Sequence, residues 1–133
     1  MGTIANTCAA ASRLTDGGRI IFIGLRLGTS VPFASVADYA GTKATLVGYA
    51  KGIARDLGPR NITVNVVQPG IMPTDMATEV AGELPMREAI LDLHPIRRVA
   101  TLEEVAETVC FLAGPSAGYI TGEALSVSGG VGI

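Results

Sequence analysis

The chain has 133 residues, of which 48% are hydrophobic and 17% charged, with a formal net charge of −2. That length supports a single domain, residues 1–133, with a core of its own, and the apolar content argues against disorder. The acidic balance and the lack of any basic cluster exclude a nucleic-acid backbone or an anionic membrane as partner.

No apolar run approaches the roughly 20 residues of a bilayer span. Met1-Gly2-Thr3-Ile4 shows no charged start of a signal peptide. Cys8 and Cys110 stand far apart and form no metal or redox motif. They are expected to be buried or half-buried packing residues in a reducing cytoplasm. The 17 glycines are too many for a helical bundle and too irregular for a repeat; they suit an α/β protein.

In chain order, Ile4–Leu14 reads as an alanine-rich helix stopped by Asp16-Gly17-Gly18. Arg19–Gly24 reads as a strand. Its interior, Ile20-Ile21-Phe22-Ile23, is apolar throughout, the pattern of a parallel strand with helices over both faces. After a loop over Leu25–Phe33, a long helix is expected over Val36–Leu57, with Ser35 as N-cap. Gly58-Pro59 ends it, glycine taking the left-handed turn. Ala44, Gly48 and Gly52 make a narrow strip suited to a close-packed backbone.

Ile62–Val67 is the second strand. Met72–Ala81 and Pro85–Leu93 read as short helices in an irregular segment. Thr101-Leu102-Glu103-Glu104 is a capping box that opens a helix ending near Ala113-Gly114. Ala124–Val127 is a third strand before Gly129-Gly130. Strands alternating with helices imply an α/β fold with a parallel sheet and right-handed crossovers.

Ligands of such sheets sit at the carboxyl ends of the strands. Leu25 follows the first strand and Pro69-Gly70 the second, so both fall on that edge. Tyr39 and Lys43, four apart near the start of the long helix, share one helix face that can meet the same edge. A free phenol exchanges protons poorly at neutral pH, and an adjacent ammonium favours its ionised form. The pair suits a carbonyl reduction, in which charge develops on oxygen and a proton must arrive.

Three segments carry a resemblance: Gly18-Arg19-Ile20-Ile21-Phe22-Ile23-Gly24, Tyr39-Ala40-Gly41-Thr42-Lys43, and Ile62-Thr63-Val64-Asn65-Val66-Val67-Gln68-Pro69-Gly70. Together they resemble the C-terminal, catalytic half of the short-chain dehydrogenase/reductase family, with 3-oxoacyl-carrier-protein reductases and general alcohol dehydrogenases as the nearest branches. The resemblance implies a partial Rossmann-like doubly wound sheet of about three strands with flanking helices. It also implies NAD or NADP as cofactor and a small carbonyl or alcohol substrate. Tyr39 would be the proton donor or acceptor, and Lys43 its activator and a ligand of the nicotinamide ribose. Pro69-Gly70-Ile71-Met72-Pro73-Thr74 resembles the family's Pro-Gly-x-x-x-Thr loop. There the backbone at Ile71 would meet the nicotinamide carboxamide, and the Thr74 hydroxyl would help hold the cofactor. Gly70 would let backbone approach the ligand. Asn65 matches a structural Asn. The helices over 4–14 and 36–57 would pair copies into a homo-oligomer.

Two departures accompany the match. The family's glycine-rich pyrophosphate turn, the residues that choose between NAD and NADP, and its catalytic Asn belong to an N-terminal half that these residues do not include. Leu25 occupies the expected position of the catalytic serine and can donate no hydrogen bond; Ser30 and Ser35 are the nearby hydroxyls. These departures leave open a second reading, a catalytically inactive relative serving as an interaction or oligomerisation module. In that reading the apolar strand at Ile20–Ile23 is an exposed edge. Elsewhere, His94 is the single histidine, which leaves no triad and no multi-histidine metal site. Glu103, Glu104 and Glu107 read as a cap and a solvated face, and Arg97-Arg98 as a surface pair.

Overall fold

The computed structural model describes residues 2–32, 34–73 and 84–133. Within these residues, three parallel strands form one sheet in the order β1 (Arg19–Ile23), β2 (Thr63–Pro69), β3 (Ala124–Val127). Arg19 pairs with Thr63 and Ile23 with Val67 across β1 and β2. Val66 pairs with Ala124 and Pro69 with Val127 across β2 and β3. All three strands therefore finish on one edge. Four helices accompany them among the described residues: α1 (Gly2–Ala11), α2 (Ala37–Leu57), α3 (Leu84–Asp92) and α4 (Leu102–Ala113).

β2 is buried along its whole length, and its side chains alternate between two cores. Val64 and Val66, with Ile62 before them, join Phe22 of β1 and Ala50, Ala54 and Leu57 of α2. Val67 faces the other way and packs with Val105 and Leu112 of α4. The helices thus cover opposite faces, as in a doubly wound sheet. The strand order steps the same way twice, so connections over opposite faces have opposite hands. The expectation of two right-handed crossovers holds for one of them only.

Several local expectations shift. The first helix ends at Ala11 rather than Leu14. β1 sits at the sheet's edge, yet its apolar run meets both cores as expected, Ile20 and Phe22 on the α2 side and Ile21 on the α4 side, while Ile23 at its end is 51% exposed. Ser35 does not cap α2. It has φ +67, and Val36 holds the cap position with no side-chain bond. Gly58 stays right-handed at φ −53 and opens a short 3₁₀ turn. Asn61 takes the left-handed conformation, which asparagine tolerates better than most residues. β2 runs on to Pro69, two residues past Val67.

Met72 and Pro73 are not helical, and the rest of the helix expected over 72–81 lies outside the described residues. Cys8 and Cys110 are exposed, not buried. Ala44, Gly48 and Gly52 are exposed as well, and no described atom lies within 4 Å of a Cβ built on either glycine. Asn65 is structural as expected: its amide donates to the Ile120 carbonyl at 2.7 Å and its oxygen accepts from the Glu123 N–H at 3.1 Å.

Gly70 is where β2 leaves the sheet beside the end of β3. Its N–H donates to the Val127 carbonyl at 2.9 Å, and a Cβ there would lie 2.9 Å from Ser128 Cα. We expect Gly70→Ala to cost about 1–3 kcal/mol in urea denaturation through overpacking; a variant as stable as the parent would show that the junction yields freely.

The capping box of α4 forms as the sequence predicts, with Thr101 and Glu104 bonded reciprocally. Glu104 also takes a bidentate pair from Arg98 at 2.9 and 2.6 Å. These bonds, Arg98's first and the Thr101 N–H next, lower its carboxyl from 4.5 to about 2. Because the folded value is depressed, the stabilisation is complete above about pH 4.5 and is lost as pH falls toward 2. The gap in urea midpoint between the parent and Glu104→Gln should therefore stay constant above that pH and narrow below it; a gap independent of pH would contradict the assignment.

Candidate active site

The carboxyl edge of the sheet is built from three segments. The loop after β1 forms a 3₁₀ turn over Arg26–Gly28 that rests on α2. A Cβ at Gly28 would lie 2.9 Å from the Lys43 carbonyl carbon and 3.1 Å from the Ala44 nitrogen. Only a residue without a side chain brings this loop so close to the first turns of α2. The second segment is the Pro69-Gly70-Ile71 turn, anchored by the bond to Val127 and by the Ala100 N–H donating to the Ile71 carbonyl at 3.0 Å. The third is the C-terminal stretch, where Gly129, Gly130 and Gly132 all have positive φ.

Tyr39 lies in the first turn of α2, and Lys43 follows one turn later. The Lys43 Nζ sits 5.6 Å from the centre of the Tyr39 ring, within cation–π range. Tyr39 is 42% exposed. The helical spacing thus brings phenol and ammonium together as the sequence suggests.

Leu25, Pro69, Gly70 and Ile71 converge on one pocket of about 60 Å³ at the strand ends. Tyr39 and Lys43 do not line it; the nearest link on α2 is the Lys43 backbone, which packs against Gly28 of the β1 loop. Thr74 lies outside the described residues. Gly70 lines the pocket, and Ser128 of this same chain fills the space a Cβ there would take. Its missing side chain is accounted for by the β2–β3 junction, without a ligand.

Sequence reasoning passed over three contributors to this pocket. Arg26 donates from Nε to the Val131 carbonyl at 2.9 Å and from Nη2 to the Gly132 carbonyl at 3.1 Å, so it ties the β1 loop to the C-terminal stretch. Val131 thereby becomes a wall of the pocket. His94, just after α3, is buried and also lines it. Position 94 in a loop carried no periodic signal, and a bond spanning 105 residues leaves no local pattern. Arg97 and Arg98 are the surface residues expected, paired with Asp92 at 2.5 Å and Glu104 at 2.6 Å. No cluster that could hold a metal ion occurs among the described residues, and no described helix is long and apolar enough to cross a membrane.

Comparison with known proteins places this architecture. A family model described as enoyl-(acyl-carrier-protein) reductase matches residues 1–132. The chain is 46% identical over 123 residues to a cyclic-di-GMP-binding biofilm dispersal mediator protein of Escherichia coli, covering 92% of this chain and 51% of that one. It is equally 46% identical over 114 residues to the 3-oxoacyl-[acyl-carrier-protein] reductase FabG of Salmonella typhimurium, covering 86% and 46%. Among solved structures, a short-chain dehydrogenase from Burkholderia cenocepacia in complex with NADP superposes with a TM-score of 0.90 at 41% identity, over 98% of this chain and 52% of that one. The chain spans about half the length of the curated relatives it matches. With nearly every residue covered and identities well above 30%, this chain belongs to the short-chain dehydrogenase/reductase family.

Proposed function

We propose that these residues are the catalytic portion of an NAD(P)-dependent short-chain oxidoreductase that interconverts a small ketone and its alcohol. The observation that carries the reading is the Lys43 ammonium 5.6 Å from the Tyr39 ring, on a helix whose Lys43 backbone packs against Gly28 of the loop that leaves β1. The donor set suits a nicotinamide nucleotide: an ammonium for the ribose hydroxyls, with Pro69 and Ile71 walling the adjacent pocket. Thr74 would add its hydroxyl, as the family resemblance implies. Gly70 offers no open cradle, since Ser128 occupies that space. The bound nicotinamide supplies or accepts the hydride. Tyr39 holds the proton that reaches the carbonyl oxygen on reduction or leaves the alcohol on oxidation. Lys43 stabilises the phenol when it has given that proton up.

Leu25 sets the limit on this chemistry. Where the family resemblance expects a serine, its side chain offers no donor to the oxygen on which charge develops. One such donor is worth about 10²–10³ in rate. Leu25→Ser should therefore raise kcat toward ketones by about that factor in stopped-flow assays with NADH and NADPH. Tyr39→Phe should lower it by about 10²–10⁴. Turnover that is indifferent to the loss of the phenol hydroxyl would refute the acid–base assignment.

A second reading rests on a different observation, the exposed edge of β1 with Ile23 half in solvent. In it the chain is a non-catalytic module that pairs with other copies. Both readings include a cytoplasmic homo-oligomer formed through the helices over 4–14 and 36–57. The open strip at Ala44, Gly48 and Gly52 supports that contact. Sedimentation should show self-association at micromolar concentration, weakened by Gly48→Glu, which projects a charge from the strip. A stable monomer at those concentrations would refute the oligomer. NADH and NADPH fluorescence titrations separate the readings, since only the enzyme binds them.

A further inference from the structure

On the face of β2 that meets α2, Val64 and Val66 are followed by Gln68, a residue only 1% exposed. Its Nε2 is buried and has no hydrogen-bond partner among the described residues. A buried amide with one end unpaired costs stability that a third apolar residue at this position would not. Departures of this kind are expected where a residue is kept for function rather than for the fold.

The other end of the amide shows what Gln68 does. Its Oε1 accepts from the Thr29 hydroxyl at 3.1 Å. That hydroxyl accepts in turn from Arg26 Nη1 at 2.5 Å, and Arg26 spends Nε and Nη2 on the Val131 and Gly132 carbonyls. A relay of three side chains therefore joins β2, the loop after β1 and the C-terminal stretch, the three segments that build the carboxyl edge. The 3₁₀ turn it fixes, Arg26–Gly28, faces two ways. Leu25 just before it and Val131 at the far end of the Arg26 bond are walls of the pocket, whereas Gly28 within it packs on the Lys43 backbone. Gln68 itself does not line the pocket.

We propose that Gln68 is a positioning residue: acting through Thr29 and Arg26, it fixes the turn after β1 and so holds the pocket walls Leu25 and Val131 in register with the helix that carries Tyr39 and Lys43. Its effect on turnover rests on the oxidoreductase reading, but the relay is a property of the fold and needs no turnover. A ketone held against walls that drift relative to its proton donor binds as well and reacts more slowly, since a misplacement on the order of 1 Å can cost about 10²-fold in rate.

The test is Gln68→Met, an unbranched apolar replacement that adapts to its surroundings. Thr29 is exposed and its hydroxyl also lies 3.2 Å from the Arg26 carbonyl, so the substitution leaves no buried partner unpaired. The expected result is a urea midpoint equal to or above the parent's, with kcat toward ketones lowered by about tenfold and KM changed by less than about twofold. The Arg26 Nε–H resonance should exchange faster with water. Thr29→Val should reproduce the loss from the other end of the bond, Thr29→Ser should restore it, and the double variant Gln68→Met/Thr29→Val should lose no more than either alone. A residue that only stabilises the fold gives the opposite pattern, a lower midpoint with kcat intact. That pattern, or an Arg26 resonance indifferent to Gln68→Met, would overturn the proposal. A parent that turns over no ketone would sink the catalytic reading, and the Arg26 resonance would then decide the relay by itself. Turnover that Gln68→Met leaves unchanged would sink the positioning role and leave the catalytic reading standing.

Discussion

The burial of β2 is the constraint on which the rest of the structure depends. A strand covered on both faces and paired on both edges must satisfy every backbone group through its neighbours. β1 and β3 do so in parallel register. Its alternating side chains then decide which helix covers which face: Val64 and Val66 recruit α2, and Val67 recruits α4. Of its buried polar residues, Asn65 serves this end, since it bonds the backbone at Ile120 and Glu123 and aligns the chain entering β3. Because all three strands run the same way, their carboxyl ends gather the loop after β1, the Pro69-Gly70 turn and the C-terminal stretch.

Glycines set how tightly those three segments close. Gly24 has no room for a Cβ, which would lie 2.8 Å from Val66 Cγ1. Gly28 seats the β1 loop on α2 at Lys43, and Gly70 seats the β2 turn on Ser128. The position of the phenol–ammonium pair relative to the strand ends thus depends on backbone packing distant in sequence. A pocket assembled this way has walls fixed by long-range bonds, such as the two that Arg26 makes to the C-terminal stretch.

What the sequence made legible follows the range of the interactions. The three strands, the long helix and the capping box of α4 rest on local periodicity or on a four-residue motif, and they appear where the sequence puts them. The Tyr39–Lys43 contact is likewise one helical turn and was readable from spacing. Misreadings cluster where a tertiary contact decides between local options. Ser35 is a good capping type, yet the loop pinned by Gly28 and Arg26 delivers it with φ +67, where it cannot cap. Gly58 is a good helix-stopping type, yet Pro59 fits the second position of a 3₁₀ turn, so the left-handed residue moves on to Asn61. Gly70 lines the pocket, but its packing against Ser128, 58 residues away, left no local signal. His94 and Arg26 had no local signal, because their roles arise only when α3, the β1 loop and the C-terminal stretch meet.

The environment of Tyr39 adds one more requirement. A unit charge on the order of 5 Å from an ionised phenol is worth under about 1 kcal/mol in bulk water, and about 3 kcal/mol at an effective dielectric near 20. Tyr39 is 42% exposed, so its surroundings lie toward the first limit. The ammonium gains leverage over the phenol only when something covers the pair and removes water from it. In the proposed reading, acid–base chemistry would therefore be coupled to occupancy: a nucleotide and substrate laid against Tyr39 and Lys43 would shed the water that screens them. The same coupling explains why loss of a single donor at position 25 matters, since a covered site has no solvent to stand in for it.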